Sequence, residues 1–157
     1  MSENYVELLE GTSLVRKAPG RRHELVCWRL HELMQASVAD MAGMKLLPPR
    51  AEIRISPLTI VRPDLAIVAM ANGRSFLFAE VISSDDHRPD TVVKKQIYEE
   101  ARVPRLWMVD PRYDNVEVYH STSYGLALKE ILAGKESLSE KLIPEFDIQI
   151  EALFQDL

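Results

Sequence analysis

With a single cysteine, Cys27, the chain can close no disulfide within itself and builds no zinc framework on thiolates. Nor does any apolar run approach the roughly 18 residues that a membrane helix needs. The start MSENYVELLEG is acidic and lacks the positive region of a signal peptide. These absences point to a cytoplasmic protein with no membrane partner. Repeats, low-complexity tracts and interdomain linkers are missing too, so the 157 residues read as one domain, 1–157, long enough to bury a core. An excess of positive charge is the last absence: 19 Lys and Arg against 24 Asp and Glu leave a net charge of −5. Nucleic-acid binders usually carry a basic face that neutralises phosphates. The distribution softens that objection, because Arg16, Lys17, Arg21, Arg22 and His23 cluster around the start of the first predicted helix and part of the acidic excess belongs to a predicted metal site.

What is present is concentrated between Arg62 and Pro111, which reads as strand, turn, strand, loop, helix, strand. FLFAEVIS is a run of apolar and β-branched residues bounded by turn signals, hence a buried strand. Strand side chains alternate, so Glu80 shares a face with Phe78 and Ile82, and a carboxylate on such a surface needs a cation or a proton. Asp64 follows Pro63 at the start of the other apolar strand, DLAIVA, where a side chain can project from the sheet's end. Two sheet-borne carboxylates can share one divalent ion. On the following helix Asp90, Lys94 and Tyr98 stand at i, i+4 and i+8, a polar stripe beside Val93, Ile97 and Ala101. Carboxylate oxygens suit Mg²⁺ or Mn²⁺, which activates water and neutralises phosphate, and a lysine beside them stabilises growing negative charge. That is the chemistry of phosphodiester hydrolysis.

Pro63-Asp64, Glu80-Val81-Ile82-Ser83, then Asp90, Lys94 and Tyr98, then VPRLWMVDP from Val103 to Pro111, closely resemble the Uma family of restriction-endonuclease-like proteins, a branch of the PD-(D/E)XK nuclease superfamily. The likeness extends to YVELLEG at Tyr5–Gly11 and to a C-terminal Leu-Phe ending at Phe154. It implies an α/β (α+β) mixed sheet with an α-β-β-β-α-β core and extra C-terminal strands. It also implies a metal-dependent endonuclease acting on DNA, with Asp64, Glu80 and the Val81 carbonyl holding Mg²⁺ or Mn²⁺, Lys94 assisting the attacking water, and His23 or Glu24 facing the active site. The superfamily's usual lysine would stand two residues after Glu80, where this chain has Ile82; the Uma branch moves it to the helix, at Lys94. The loop Ser84-Asp85-Asp86-His87-Arg88 departs from the family's Ser-Pro-Ser-Thr-Arg pattern, which bears on substrate preference.

The remaining chain supplies a small N-terminal element and loop over residues 1–20, a first helix from Arg21 to about Asp40, and a turn-rich stretch ending in Pro48-Pro49. AEIRIS alternates as a half-exposed strand, NVEVYHS and GLALKEIL read as a strand pair, and EALFQDL as a short helix. Leu25 and Trp28 fall off the first helix's apolar stripe of Val26, Leu30, Leu33, Met34 and Ser37, which predicts a covering loop or a homodimer. His23, Cys27 and His31 have metal-ligand spacing on one helix face, but packing beside the core accounts for them better. Each site residue also has a plainer reading. Asp64 fits a Pro-Asp turn, Glu80 a structural pair with Arg62 or Lys94, Lys94 a solvated helix face, and Asp90 a first-turn acid favoured by the helix dipole. Two classes of function follow: a metal-dependent endonuclease, or a nuclease-like module that binds nucleic acid or protein without cutting.

Overall fold

The computed structural model describes residues 3–39, 41–83 and 87–157. Its centre is a six-stranded sheet. In chain order this sheet contains β3 (Met44–Leu46), β6 (Leu65–Ala69), β7 (Ser75–Val81), β8 (Arg105–Asp110), β9 (Asn115–Thr122) and β10 (Gly125–Ala133). Across the sheet they run β10-β9-β8-β7-β6-β3. Asn72-Gly73 turns β6 into β7; Gly73 has φ +68, a conformation that glycine adopts without steric cost. β7 and β8 pair in parallel, Glu80 opposite Met108, so the chain must cross over between them. The crossover is helical. A wide π-helical segment, Pro89–Lys94, runs into α2 (Lys95–Glu100) and lies over the face that carries Phe78, Ile82, Leu106 and Met108.

The opposite face is covered by α1 (Arg21–Val38), whose stripe of Val26, Leu30 and Met34 packs on Leu65, Ile67, Leu77 and Trp107. Burying each such side chain stabilises by roughly 1.5–3 kcal/mol, which is what holds this helix to the sheet. A C-terminal hairpin, β11 (Ser137–Glu140) with β12 (Ile143–Gln149), and α3 (Glu151–Phe154) complete that layer, with Phe146 stacked on Trp107. Leu25 is partly buried on α1, and Trp28 is 59% exposed.

Three expectations change. Residues 5–16 are not a small element and a loop but a hairpin, β1 (Tyr5–Leu9) and β2 (Thr12–Arg16), turned by Glu10 and Gly11, both at positive φ. The AEIRIS strand is β4 (Ile53–Ser56); with β5 (Thr59–Val61) it joins this hairpin in a separate four-stranded sheet, β2-β1-β5-β4. The place beside β6 is taken instead by β3, from the stretch expected to be turns. Finally, the stripe of Asp90, Lys94 and Tyr98 is buried and Ala101 exposed, because the polar stripe meets the four-stranded sheet. The first helix ends at Val38; Asp40, and the loop positions Ser84, Asp85 and Asp86, lie outside the described residues.

Candidate active site

Asp64 sits where the chain enters β6, and the fold surrounds it with donors. Its Oδ2 accepts the Val81 N–H at 2.8 Å, which ties it to the end of β7 beside Glu80. Its Oδ1 accepts Arg50 Nε at 3.1 Å. His23, from the first turn of α1, donates from Nε2 to the Val81 carbonyl at 2.6 Å and stands 3.6 Å from Asp64 Oδ2. Glu24 binds Arg50 and lies 3.5 Å from His23 Nδ1. Burial opposes ionisation of Asp64, but the charge and hydrogen bond of His23 and the guanidinium of Arg50 outweigh it and hold the carboxyl well below the usual range. The same contacts raise His23 against its own burial. Cys27 and His31 also turn to this corner, at 3.7 and 2.7 Å from the Asp64 carbonyl, so the i, i+4, i+8 spacing anchors α1 to the start of β6.

Glu80 and Lys94 form the second corner. The β7 alternation aims Glu80 at the crossover helix, and Lys94 Nζ meets its Oε2 at 2.5 Å. Tyr98, one turn further along the stripe, donates its hydroxyl to the same oxygen at 2.6 Å. Lys94 is wholly buried, with Glu7 Oε2 at 2.8 Å and Asp90 Oδ1 at 3.7 Å. Arg16 grips Asp90 through two hydrogen bonds of 3.1 and 3.0 Å and donates to Glu7 Oε1 at 2.7 Å. Three carboxylates thus share two cations among the described residues, and burial disfavours the surplus negative charge. Burial first, and the neighbouring Asp90, Asp64 and Glu7, push Glu80 up to about 8 despite Lys94. Lys94, surrounded by carboxylates, keeps its proton.

The residues read from the sequence therefore converge. Asp64, Glu80, Val81, Asp90, Lys94, Tyr98, His23 and Glu24 occupy one region, at the end of β7 and the start of β6. Arg62, offered as a partner for Glu80, instead gives its main-chain N–H to Glu7 and its side chain to Val6 and Arg50 carbonyls. Glu7, Arg16 and Arg50 were not assigned to the site from the sequence. Arg50 follows Pro48-Pro49 at φ +55, an uncommon conformation for a residue with a side chain, and that local strain marks the turn only once coordinates exist. For Glu7 the sequence signal was a lone acid inside the apolar run Tyr5–Leu9, the same kind of signal that singled out Glu80.

Two clefts open beside His23 and Ser83. One, about 350 Å³, is lined by Arg16, Lys17 and Gly20; the other, about 250 Å³, by Arg21, Arg22 and Arg112. No carboxylate lines either cleft among the described residues. The oxygen donors available to an ion are the Asp64 and Glu80 carboxylates and the Val81 carbonyl, all hard and suited to Mg²⁺ or Mn²⁺. Glu80 uses Oε2 for both Lys94 and Tyr98. His23 Nε2 lies between the Val81 carbonyl, 2.6 Å away, and Asp64 Oδ2, 3.6 Å away. Among the described residues no three His, Cys, Asp or Glu side chains are grouped to hold an ion.

A mixed sheet flanked by helices, with an aspartate and a glutamate on paired strands and a lysine on the crossover helix, defines a restriction-endonuclease-like protein of the PD-(D/E)XK superfamily. The chain belongs to the Uma2 family, described as "Putative restriction endonuclease", whose pattern matches residues 2–151. Its fold is similar to the crystal structure of a "putative nuclease belonging to DUF820" from Anabaena variabilis, with a TM-score of 0.78 at 14% identity over 95% of this chain and 89% of that one. No curated protein matches the chain. No helix among the described residues is long and apolar enough to cross a membrane.

Proposed function

We propose that the protein is a divalent-ion-dependent endonuclease that hydrolyses DNA phosphodiester bonds. The observation that carries the reading is the meeting of Asp64, Glu80 and Lys94: Asp64 Oδ2 is bonded to the main chain next to Glu80, and Lys94 lies on Glu80 itself. Asp64, Glu80 and the Val81 carbonyl would hold Mg²⁺ or Mn²⁺, which when bound supplies an activated water and neutralises phosphate charge. Lys94 and Tyr98 turn Glu80 by holding one of its oxygens. His23, hydrogen-bonded to Val81 O, keeps the carbonyl in place, and Glu24 steadies Arg50 beside Asp64. Lys17 and Arg21, with Arg22 and Arg112 that are paired to Asp114 and Asp110, line the clefts through which a phosphodiester backbone would approach.

A second reading, a module that binds nucleic acid or protein without cutting it, is favoured by one feature. The carboxylates already have resident cations in Lys94, Arg16 and Arg50. Incubation with supercoiled plasmid, single-stranded DNA and RNA, with Mg²⁺, Mn²⁺ or chelator, separates the two. Ion-dependent cleavage that disappears in Asp64→Asn and Glu80→Gln supports the nuclease. A retarded band with intact nucleic acid under every condition supports the binding module.

A further inference from the structure

We propose that Glu7 is a positioning residue of this site: it holds the Lys94 ammonium against Glu80, while Arg16 holds both Glu7 and Asp90. The proposal rests on the nuclease reading for its consequence in catalysis, but its structural claim stands on the hairpin alone. Glu7 and Arg16 belong to β1 and β2, in the sheet that does not contain Glu80. Both side chains point inward, where their neighbour Leu9 packs with Val61, Phe78 and Tyr98. Glu7 is wholly buried and Arg16 nearly so. For stability alone an apolar pair would serve as well or better, because a buried ion pair rarely recovers the cost of leaving water. The pairing pattern shows what the charges accomplish. Arg16 occupies both oxygens of Asp90, so the carboxylate one helical turn from Lys94 is already engaged. Lys94 is thereby left to Glu7 and Glu80, at 2.8 and 2.5 Å, rather than to Asp90 at 3.7 Å. Glu7 Oε2 also accepts the Arg62 N–H at 2.7 Å, two residues before Asp64. One carboxylate of the N-terminal hairpin is therefore tied to both corners of the site.

The test is Glu7→Gln, which keeps shape and removes the charge, read in two ways. An ammonium enclosed by carboxylates exchanges its protons slowly, so Lys94 should give its own ¹H–¹⁵N signal in ¹⁵N-lysine-labelled protein, assigned by its loss in Lys94→Met. In Glu7→Gln that signal should broaden beyond detection. On the DNA substrate the parent cuts, kcat should fall by about 30-fold with KM within about twofold, and the same change in a Lys94→Met background should have no further effect. A Glu7→Gln protein that keeps both the ammonium signal and the parental kcat would overturn the proposal, as would an equal loss in both backgrounds. If the parent cuts nothing, the nuclease reading fails, and the ammonium signal still decides what Glu7 does. Should Glu7→Gln not fold, Glu7→Leu with Lys94→Met removes the pair together. Parental stability in that double variant supports a role for Glu7 through Lys94, and continued unfolding assigns it to the fold alone.

Discussion

Asp64 and Glu80 lie on paired strands and meet around Val81, yet their surroundings act on them in opposite directions. At Asp64 two carboxylates, Asp64 and the partly exposed Glu24, share Arg50 and His23, and a main-chain N–H adds to them, so Asp64 stays ionised far into acid. At Glu80 three carboxylates share Lys94 and Arg16, so it takes up a proton readily. The difference lies in the local ratio of cations to carboxylates, since both groups are almost wholly buried. The Glu80 corner is short of positive charge, which favours a proton on Glu80.

The largest effect is expected at Lys94. Read as one face of a helix, Lys94→Ala would leave the fold nearly untouched; buried between Glu7 and Glu80, it should cost about 3–5 kcal/mol, because it strands carboxylates away from water. Urea denaturation of the variant measures this. Asp64→Asn keeps an acceptor for the Val81 N–H but leaves Arg50 and His23 with Glu24 as their one anion among the described residues, and should cost about 2–3 kcal/mol in the same experiment.

A gentler test separates the two corners by pH. Glu80 binds its proton more tightly folded than unfolded, so its contribution to stability is full below pH 4.5 and is lost as pH rises through about 8. Asp64 has the reverse sign: its contribution is full above the ordinary carboxylate range and is lost as pH falls through its depressed value. Thermal midpoints should therefore decline less between pH 4.5 and about 8 in Glu80→Gln than in the parent, and decline less in acid in Asp64→Asn. The smallest effect is expected outside the site. Arg22 pairs with Asp114 at 2.5 Å, but both are exposed, so Arg22→Ala should change stability by less than about 1 kcal/mol. A larger change would mean that burial is not what distinguishes the site's ion pairs.

Much of the fold was legible because its elements are locally consistent. α1 has helical spacing of Val26, Leu30 and Met34, β7 and β8 are apolar runs between turn signals, and β9 and β10 appear as a strand pair. β3 has three residues and acquires its identity from pairing with β6, so no pattern within it could announce a strand. The pairing of β11 with β12 was equally unannounced. Within the site, Asp64, Glu80 and Lys94 share a short stretch of chain and were readable together. Arg16 reaches Asp90 across 74 residues, and Arg50 reaches Asp64 from a proline-bounded turn. Such partners are brought in by the second sheet and by loop conformation, neither of which leaves a periodic signal.

Asp64 and Glu80, although already held by resident cations, are proposed together to form the divalent-ion site. Calorimetric titration with Mn²⁺ tests it most directly. The parent should bind, while Glu80→Gln and Asp64→Asn, each confirmed folded, should lose measurable binding. A parent that takes up no Mn²⁺, or a Glu80→Gln protein that binds it as tightly as the parent, would place no such ion between these two carboxylates.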